Sequence, residues 1–300
     1  MVRSKNRNIK GYIDLLRPFT LLAPLCVSSC VMFASLIYNG KNDLLMFPAI
    51  MTISAASFTL ALLNGASNAL NQATDIHEDR LSKPYRPIPR GIITPHNAHL
   101  LAGVLYLSAF VLSLTVHFLF TIFVLFIAIF TITYSLPPRM KRYLFFNQLW
   151  VALPRGLIGI LASWSVFGDP FQKLPLAMGS IAALFLFGGT TTKDILDAEA
   201  DKKTGIHTLI NVLGVRTTAV IACFCMSSAF LLIIPLVFWG VLEIYFLPLL
   251  LLVCLALYIA RLMIHDHQNN RYENTTSWRL MYTTYLLFAL GFALLTISFS

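Results

Sequence analysis

The chain has 300 residues, of which 57% are hydrophobic and only 12% charged, with a mean hydropathy of +0.74 and a formal net charge of +9. So little polar surface cannot cover a water-soluble core, which excludes the soluble domain classes and makes lipid the solvent for most residues. The basic excess is spread over short loops, so attraction to anionic membrane lipids accounts for it and no nucleic-acid partner is expected.

Residues 3–14 are basic and polar and read as an interfacial lead-in to the first apolar run, not as a cleaved signal. Apolar runs long enough to cross about 30 Å of hydrocarbon as helices follow near residues 18–37, 46–70, 98–116, 118–136, 145–165, 174–192, 218–239, 243–263 and 279–299. Only a short SLTVHFLF segment separates the third and fourth. No period-2 alternation points to a barrel, and unpaired backbone groups are too costly in lipid for an open structure. The expectation is therefore an all-α, polytopic membrane helical bundle of about nine transmembrane helices.

An N-terminus on the cytoplasmic side gives that side Arg3, Lys5, Arg7, Lys10 and Arg17 and the basic residues of 80–90, 139–142, 193–216 and 261–279. The other side receives Lys41 and Lys173. This asymmetry predicts N-in, C-out. The five cysteines, Cys26, Cys30, Cys223, Cys225 and Cys254, fall inside spans without metal-ligand spacing and read as buried small hydrophobes.

Three interior loops carry the polar residues. Continuing the second span as helix places Asn68, Asn71, Asp75 and Asp79 on one face, at steps of three, four and four. Glu78 lies just off that line, and His77 points away. In the segment 188–209, Asp194, Asp197 and Asp201 share a face in the same way, with Glu199 off the stripe. Like charges stacked at one turn repel. Oxygen donors without cysteine or converging histidine suit a hard cation such as Mg²⁺, which bridges carboxylates to substrate phosphates. Either acidic segment alone could be a solvated helix end; two at the expensive edge of a membrane favour a site.

Basic residues accompany both sets: Lys83, Arg86 and Arg90 after the first, Lys193 before the second, Lys202 and Lys203 after it, and Arg139, Lys141 and Arg142 in the loop between them. Acids for a metal flanked by cations are the parts needed to neutralise a diphosphate and let it leave. A hydrocarbon tail on that diphosphate would lie in the apolar interior. Tyr134, at the end of a span beside the basic loop, is the first aromatic candidate for the substrate pocket, and Asn68 lines the same stripe. The two acidic segments, each following a span and preceding a turn, are consistent with one domain over residues 1–300 made of two related halves, with a site at their interface.

These residues resemble the UbiA family of intramembrane prenyltransferases. NQATDIHED, with Asn71, Asp75 and Asp79, is similar to the family's first signature, and KPYRPIPRG to its Arg-Pro-x-x-x-Gly element through Arg86, Pro87 and Gly91. DILDAEADKKTGIHTL resembles the second signature through Asp194, Asp197, Asp201, Lys202, Gly205, Thr208 and Leu209, and YSLPPRMKR the basic middle segment. The resemblance implies Mg²⁺-dependent transfer of a prenyl group from a prenyl diphosphate to a lipophilic or amphipathic acceptor. It assigns Asp75 and Asp79, with Asn71 assisting, to one part of a metal cluster, while Asp194, Asp197 and Asp201 would hold the other part or position basic partners. Lys83, Arg86, Arg139, Lys141, Lys193 and Lys202 would bind the diphosphate.

Gln72 departs from the pattern, standing where the family commonly has aspartate; it cannot supply charge to a metal. The loops look more like the archaeal ether-lipid and chlorophyll branches than the 4-hydroxybenzoate branch, which implies geranylgeranyl transfer of the digeranylgeranylglyceryl-phosphate-synthase kind. Prenylation of an aromatic acceptor in quinone or chlorophyll metabolism, a membrane terpene cyclase and a cation-coupled carrier are the alternatives. The sequence does not fix an oligomeric state.

Overall fold

The computed structural model describes residues 2–41, 46–269 and 275–299, with backbone alone for 2–8 and 266–269. The side chains of Arg3, Lys5 and Arg7 and part of the 261–279 loop thus lie outside the described residues. The chain is helical from end to end. Helices α1 (Val2–Leu16), α2 (Pro18–Tyr38), α3 (Met46–Thr74) and α4 (Ile76–Ser82) form the first group. They are followed by α5 (Pro95–Leu114), α6 (Phe118–Ser135), α7 (Phe146–Ala152) and α8 (Ile158–Trp164). The remainder comprises α9 (Lys173–Gly189), α10 (Ala198–Thr204), α11 (Leu209–Leu231), α12 (Ile233–Phe238), α13 (Leu252–Asn269) and α14 (Thr276–Phe299).

Among the described residues, eight helical segments are long and apolar enough to cross a membrane, so this is a multi-pass membrane protein. The count differs from nine because the expected fifth span is not one helix. A π-helical turn, Leu153–Leu157, separates α7 from α8. Pro154 lies in this turn, where its missing N–H and ring interrupt an α-helical ladder. The circumference is apolar: Phe118, Phe224, Phe238 and Leu251 are each more than 70% exposed, a surface suited to lipid. The cysteines follow this solvent. None of the five is buried, and Cys26 and Cys254 are exposed, because a thiol behaves as a small hydrophobe against lipid as well as inside a core.

Local chemistry sets the helix ends. Arg17, at φ 53°, turns the chain between α1 and α2, and Pro18 opens α2, where its fixed φ suits a first helical position. Thr94 accepts a hydrogen bond from the Asn97 amide at the start of α5, and Thr208 does the same for Asn211 in α11. The largest core cluster packs Trp164, Phe185, Phe230, Phe288 and Phe292 between α8, α9, α11 and α14. A second joins α2, α3, α6 and α8 around Phe120, Phe123 and Leu63.

Helices α3, α6 and α9 end, and α2, α7 and α14 begin, around one polar cavity.

Candidate active site

Both acidic segments leave their long helices at this cavity. Helix α3 stops at Thr74, and Asp75, at φ −104° and ψ 28°, breaks the path before α4. The face expected on one continuous helix is therefore divided. Asn68 and Asn71 belong to α3, Asp75 is the joint, and Asp79 sits in α4. In the second segment, α9 passes into a 3₁₀ turn, Thr190–Ile195, which carries Lys193 and Asp194, and Asp197 precedes α10. The angular steps differ from the expected helical ones, yet Asp75, Asp79, Asp194, Asp197 and Asp201 all line the same cavity, of about 150 Å³. Helices α4 and α10 pack against each other, which is how segments more than a hundred residues apart meet.

The acids are arranged with bases. Lys141 pairs with Asp75, whose Oδ1 also receives Arg139 Nη2 at 3.1 Å. Arg86 Nη1 reaches both Asp79 oxygens at 2.9 Å, and Lys83 pairs with Asp197. Lys193 Nζ is 3.3 Å from Asp194 Oδ1, while Asn147 and Gln148 donate to Asp194 Oδ2 at 3.2 and 3.1 Å. Two glycines let the basic loops turn: Gly91 (φ 67°) after RPIPR and Gly205 (φ 72°) after α10 hold left-handed conformations that a side chain disfavours.

These pairings set the electrostatics of the acids beyond the spans. Burial pushes the Asp79 carboxyl above the usual carboxylate range, eased by Arg86 and Lys83. Burial also acts on Asp197, but Lys83 at contact outweighs it and holds the carboxyl below the usual range. Asp201 has no ion pair among the described residues. Burial, then repulsion from Asp197 and Asp194, pushes it up to about 8. A group of buried acids with one uncompensated member takes up positive charge readily.

Among the described residues no three acid, histidine or cysteine side chains already converge on a metal-sized point. The donor chemistry nevertheless fits a hard divalent cation: six oxygen-bearing side chains, those of Asn71 and the five aspartates, line one cavity without sulfur. Holding it requires the acids to exchange basic partners for the metal.

The remaining sequence candidates divide. Tyr134 lines the cavity, with its hydroxyl donating to Asn147 Oδ1 at 2.8 Å and accepting from Lys193 at the same distance. Lys193 also lies 5.3 Å from the Tyr134 ring centre, so that aromatic face is already engaged by a cation. Arg139 touches Asp75 from outside the cavity wall. Lys202 is exposed on α10 and is not among the cavity-lining residues; one position beyond Asp201, it projects from another side of the helix. His77 and Glu199 are exposed.

Asn68 and Gln72 have a role that the charge pattern does not express. With Asn64 they form an amide ladder at steps of four. Their donors reach Thr20 O (3.0 Å, from Asn64), Leu16 O (2.9 Å, from Asn68) and Leu15 O (2.7 Å, from Gln72). These carbonyls surround the turn at Arg17, where helical hydrogen bonding is interrupted. Gln72 is therefore a donor to backbone, a task aspartate cannot perform. Gln72→Leu is expected to lower stability by about 1–3 kcal/mol, read as a fall in melting temperature in detergent, while the Mg²⁺ dependence of turnover stays as in the wild type.

Sequence reasoning passed over Arg155, which lies in the π-turn and lines this cavity and a neighbouring apolar one of about 90 Å³. Its signal was a lone charge inside an apolar run. Thr131, Val151, Pro154 and Arg155 are shared by the two cavities, which therefore adjoin.

The profile of the UbiA prenyltransferase family matches residues 26–286. The chain is 30% identical over 297 residues to homogentisate solanesyltransferase of Arabidopsis thaliana, covering 91% of this chain and 74% of that one. It is 25% identical over 286 residues to digeranylgeranylglyceryl phosphate synthase of Methanosphaera stadtmanae, covering 93% and 98%. Its fold is similar to that of a UbiA homologue from Archaeoglobus fulgidus solved with DMAPP and Mg²⁺, with a TM-score of 0.67, 19% identity, and coverage of 97% and 100%. The chain belongs to the UbiA prenyltransferase family and is an intramembrane prenyltransferase.

Proposed function

We propose that this enzyme carries out Mg²⁺-dependent geranylgeranyl transfer to a glyceryl phosphate acceptor, as in ether-lipid synthesis. The observation that carries the prenyl-transfer core of this reading is a polar cavity lined by five aspartates and by Lys83, Arg86, Lys141 and Lys193, adjoining an apolar cavity. Full-length similarity to digeranylgeranylglyceryl phosphate synthases supports the choice of acceptor. The similarity to homogentisate solanesyltransferase favours a second reading, in which the acceptor is aromatic.

Asn71, Asp75, Asp79, Asp194, Asp197 and Asp201 would hold Mg²⁺, which would supply positive charge to offset that of the diphosphate. Lys83, Arg86, Lys141 and Lys193 move from carboxylate to phosphate oxygens and neutralise the remaining charge, while Arg139 stays on Asp75 from outside the cavity wall. The carbon–oxygen bond breaks with its electron pair going to the diphosphate. The acceptor then bonds to the allylic carbon and gives up its proton, which the released diphosphate takes. Preorganised cations away from bulk water favour this charge separation and limit capture by water. The apolar cavity beyond Thr131 and Val151 receives the start of the prenyl chain.

The same reading counts nine crossings, with the α7–π–α8 segment as the fifth, in a single domain of two related halves. Each half contributes a long helix that breaks into a short acidic one, α3 into α4 and α9 into α10. The basic bias of the loops supports a cytoplasmic N-terminus and cavity mouth.

Purified enzyme with geranylgeranyl diphosphate, Mg²⁺ and geranylgeranylglyceryl phosphate should release diphosphate and form a doubly prenylated product. Turnover with homogentisate alone would move the assignment to the aromatic reading. A hydrocarbon formed with no acceptor would overturn transfer in favour of cyclisation, and flux through proteoliposomes without covalent change would favour a carrier.

A further inference from the structure

Arg155 is a guanidinium inside the apolar run 145–165, and among the described residues no carboxylate pairs with it. Its side chain is partly buried, and its polar partner is Asn64 Oδ1, 3.0 Å from Nη2. A guanidinium has five N–H donors and cannot shed its charge. Leaving that charge without a counter-ion in a low-dielectric interior is costly.

The surrounding structure fixes its position. Asn64 is itself held by its donor hydrogen bonds to Thr20, which aim Oδ1 toward Arg155. The π-turn releases backbone carbonyls from the α-helical ladder, and the Tyr285 hydroxyl donates to Arg155 O at 2.7 Å. Gly156, the next residue, lies so close to α9 that an added Cβ would fall 2.5 Å from Ala183 Cα. Arg155 is thus set where the polar and apolar cavities adjoin, and both count it in their lining. The bases assigned to the diphosphate, Lys83, Arg86, Lys141 and Lys193, are paired with the aspartates instead.

We infer that Arg155 forms an anion subsite for the acceptor: it pairs with a carboxylate or phosphate of the second substrate where the polar cavity adjoins the apolar one. This rests on the prenyl-transfer reading and deepens it by adding a charge requirement on the second substrate. Both acceptors considered above meet it, one through a phosphate and the other through a carboxylate, so the subsite explains a shared feature without choosing between them.

The test is equilibrium binding of radiolabelled acceptors to the full-length protein in detergent, with geranylgeranyl diphosphate and Mg²⁺ measured separately. The probes are geranylgeranylglyceryl phosphate against geranylgeranylglycerol, and homogentisate against its methyl ester. The wild type should bind at least one anionic member more tightly than its neutral counterpart. Arg155→Gln should weaken that anionic ligand by about 10- to 100-fold, the loss of a charge-assisted contact. The neutral counterpart and geranylgeranyl diphosphate should change by less than about twofold. Arg155→Lys, which keeps the charge, should retain part of the preference, and Asn64→Leu should reduce it by removing the side chain that aims the guanidinium. These two variants carry the test if Arg155→Gln does not fold.

Equal weakening of anionic and neutral ligands, selective weakening of geranylgeranyl diphosphate, or a wild type indifferent to acceptor charge would overturn the subsite. In the last case, intact Mg²⁺-dependent diphosphate binding and release would leave prenyl transfer standing.

Discussion

Asp75→Asn and Asp194→Asn should each lower Mg²⁺-dependent diphosphate release by about 100-fold or more, while both variants insert into membranes and melt within a few degrees of the wild type. The size follows from removing a group aimed at charge that develops in the reaction, a loss of about 10²–10³ in comparable cases. Asp75 is the joint between α3 and α4 and carries Lys141 and Arg139; Asp194 is held by Lys193, Asn147 and Gln148. Asparagine keeps the shape and one acceptor oxygen at each position but removes the charge that a metal and two families of bases answer to. Diphosphate release assayed over a range of Mg²⁺ concentrations checks this. Full turnover in both variants would remove the aspartates from the chemistry.

The second large effect concerns folding. Gly156→Ala should destabilise the protein by about 3 kcal/mol or more, at the upper end for overpacking, seen as a large fall in melting temperature and as loss of detergent-stable protein. An alanine Cβ would lie 2.5 Å from both Ala183 Cα and Ala183 N and 2.9 Å from Ala182 C. All three are backbone atoms of α9, so no side-chain rotation relieves the contact and one helix must move. The same movement would displace Arg155. Gly103, which has open space around its Cβ position, is the control: Gly103→Ala should leave the melting temperature nearly unchanged or slightly raised.

The long apolar helices were readable from the chain because lipid imposes one solution on an apolar run of about 20 residues. The fifth was readable as an apolar run but not as a broken helix. Pro154 was the local signal, while the π-turn is held by contacts with α9 and Tyr285 that lie far away in sequence. For the acids, composition and order picked out five aspartates, and one cavity collects them all. The helical arithmetic that grouped them did not describe their backbone, because both segments break at or beside an aspartate.

Pairing was the least legible part. Nothing in the spacing says that Lys83 meets Asp197 across more than a hundred residues, since that contact depends on α4 packing against α10. Asn68, on the stripe with the acids, lines the cavity, as does Gln72 beside that stripe, but the spacing did not express that their amides also donate to carbonyls of the α1–α2 turn. Lys202 looked like a diphosphate ligand because it adjoins Asp201, but adjacent residues on a helix face different ways. Arg155 gave the opposite error: one charge in an apolar run was overlooked where a cluster would have been noticed.

In the proposed reaction, acids from both segments act on one diphosphate site. Crystals of the enzyme with Mn²⁺ in place of Mg²⁺ and a non-hydrolysable thiodiphosphate analogue of geranylgeranyl diphosphate test it by anomalous scattering. Metal peaks are expected at coordination distance from carboxylates of both segments, at least one of Asp75 and Asp79 and at least one of Asp194, Asp197 and Asp201, with the analogue's phosphates between them. Peaks confined to one segment, or metal bound away from the phosphates, would contradict it.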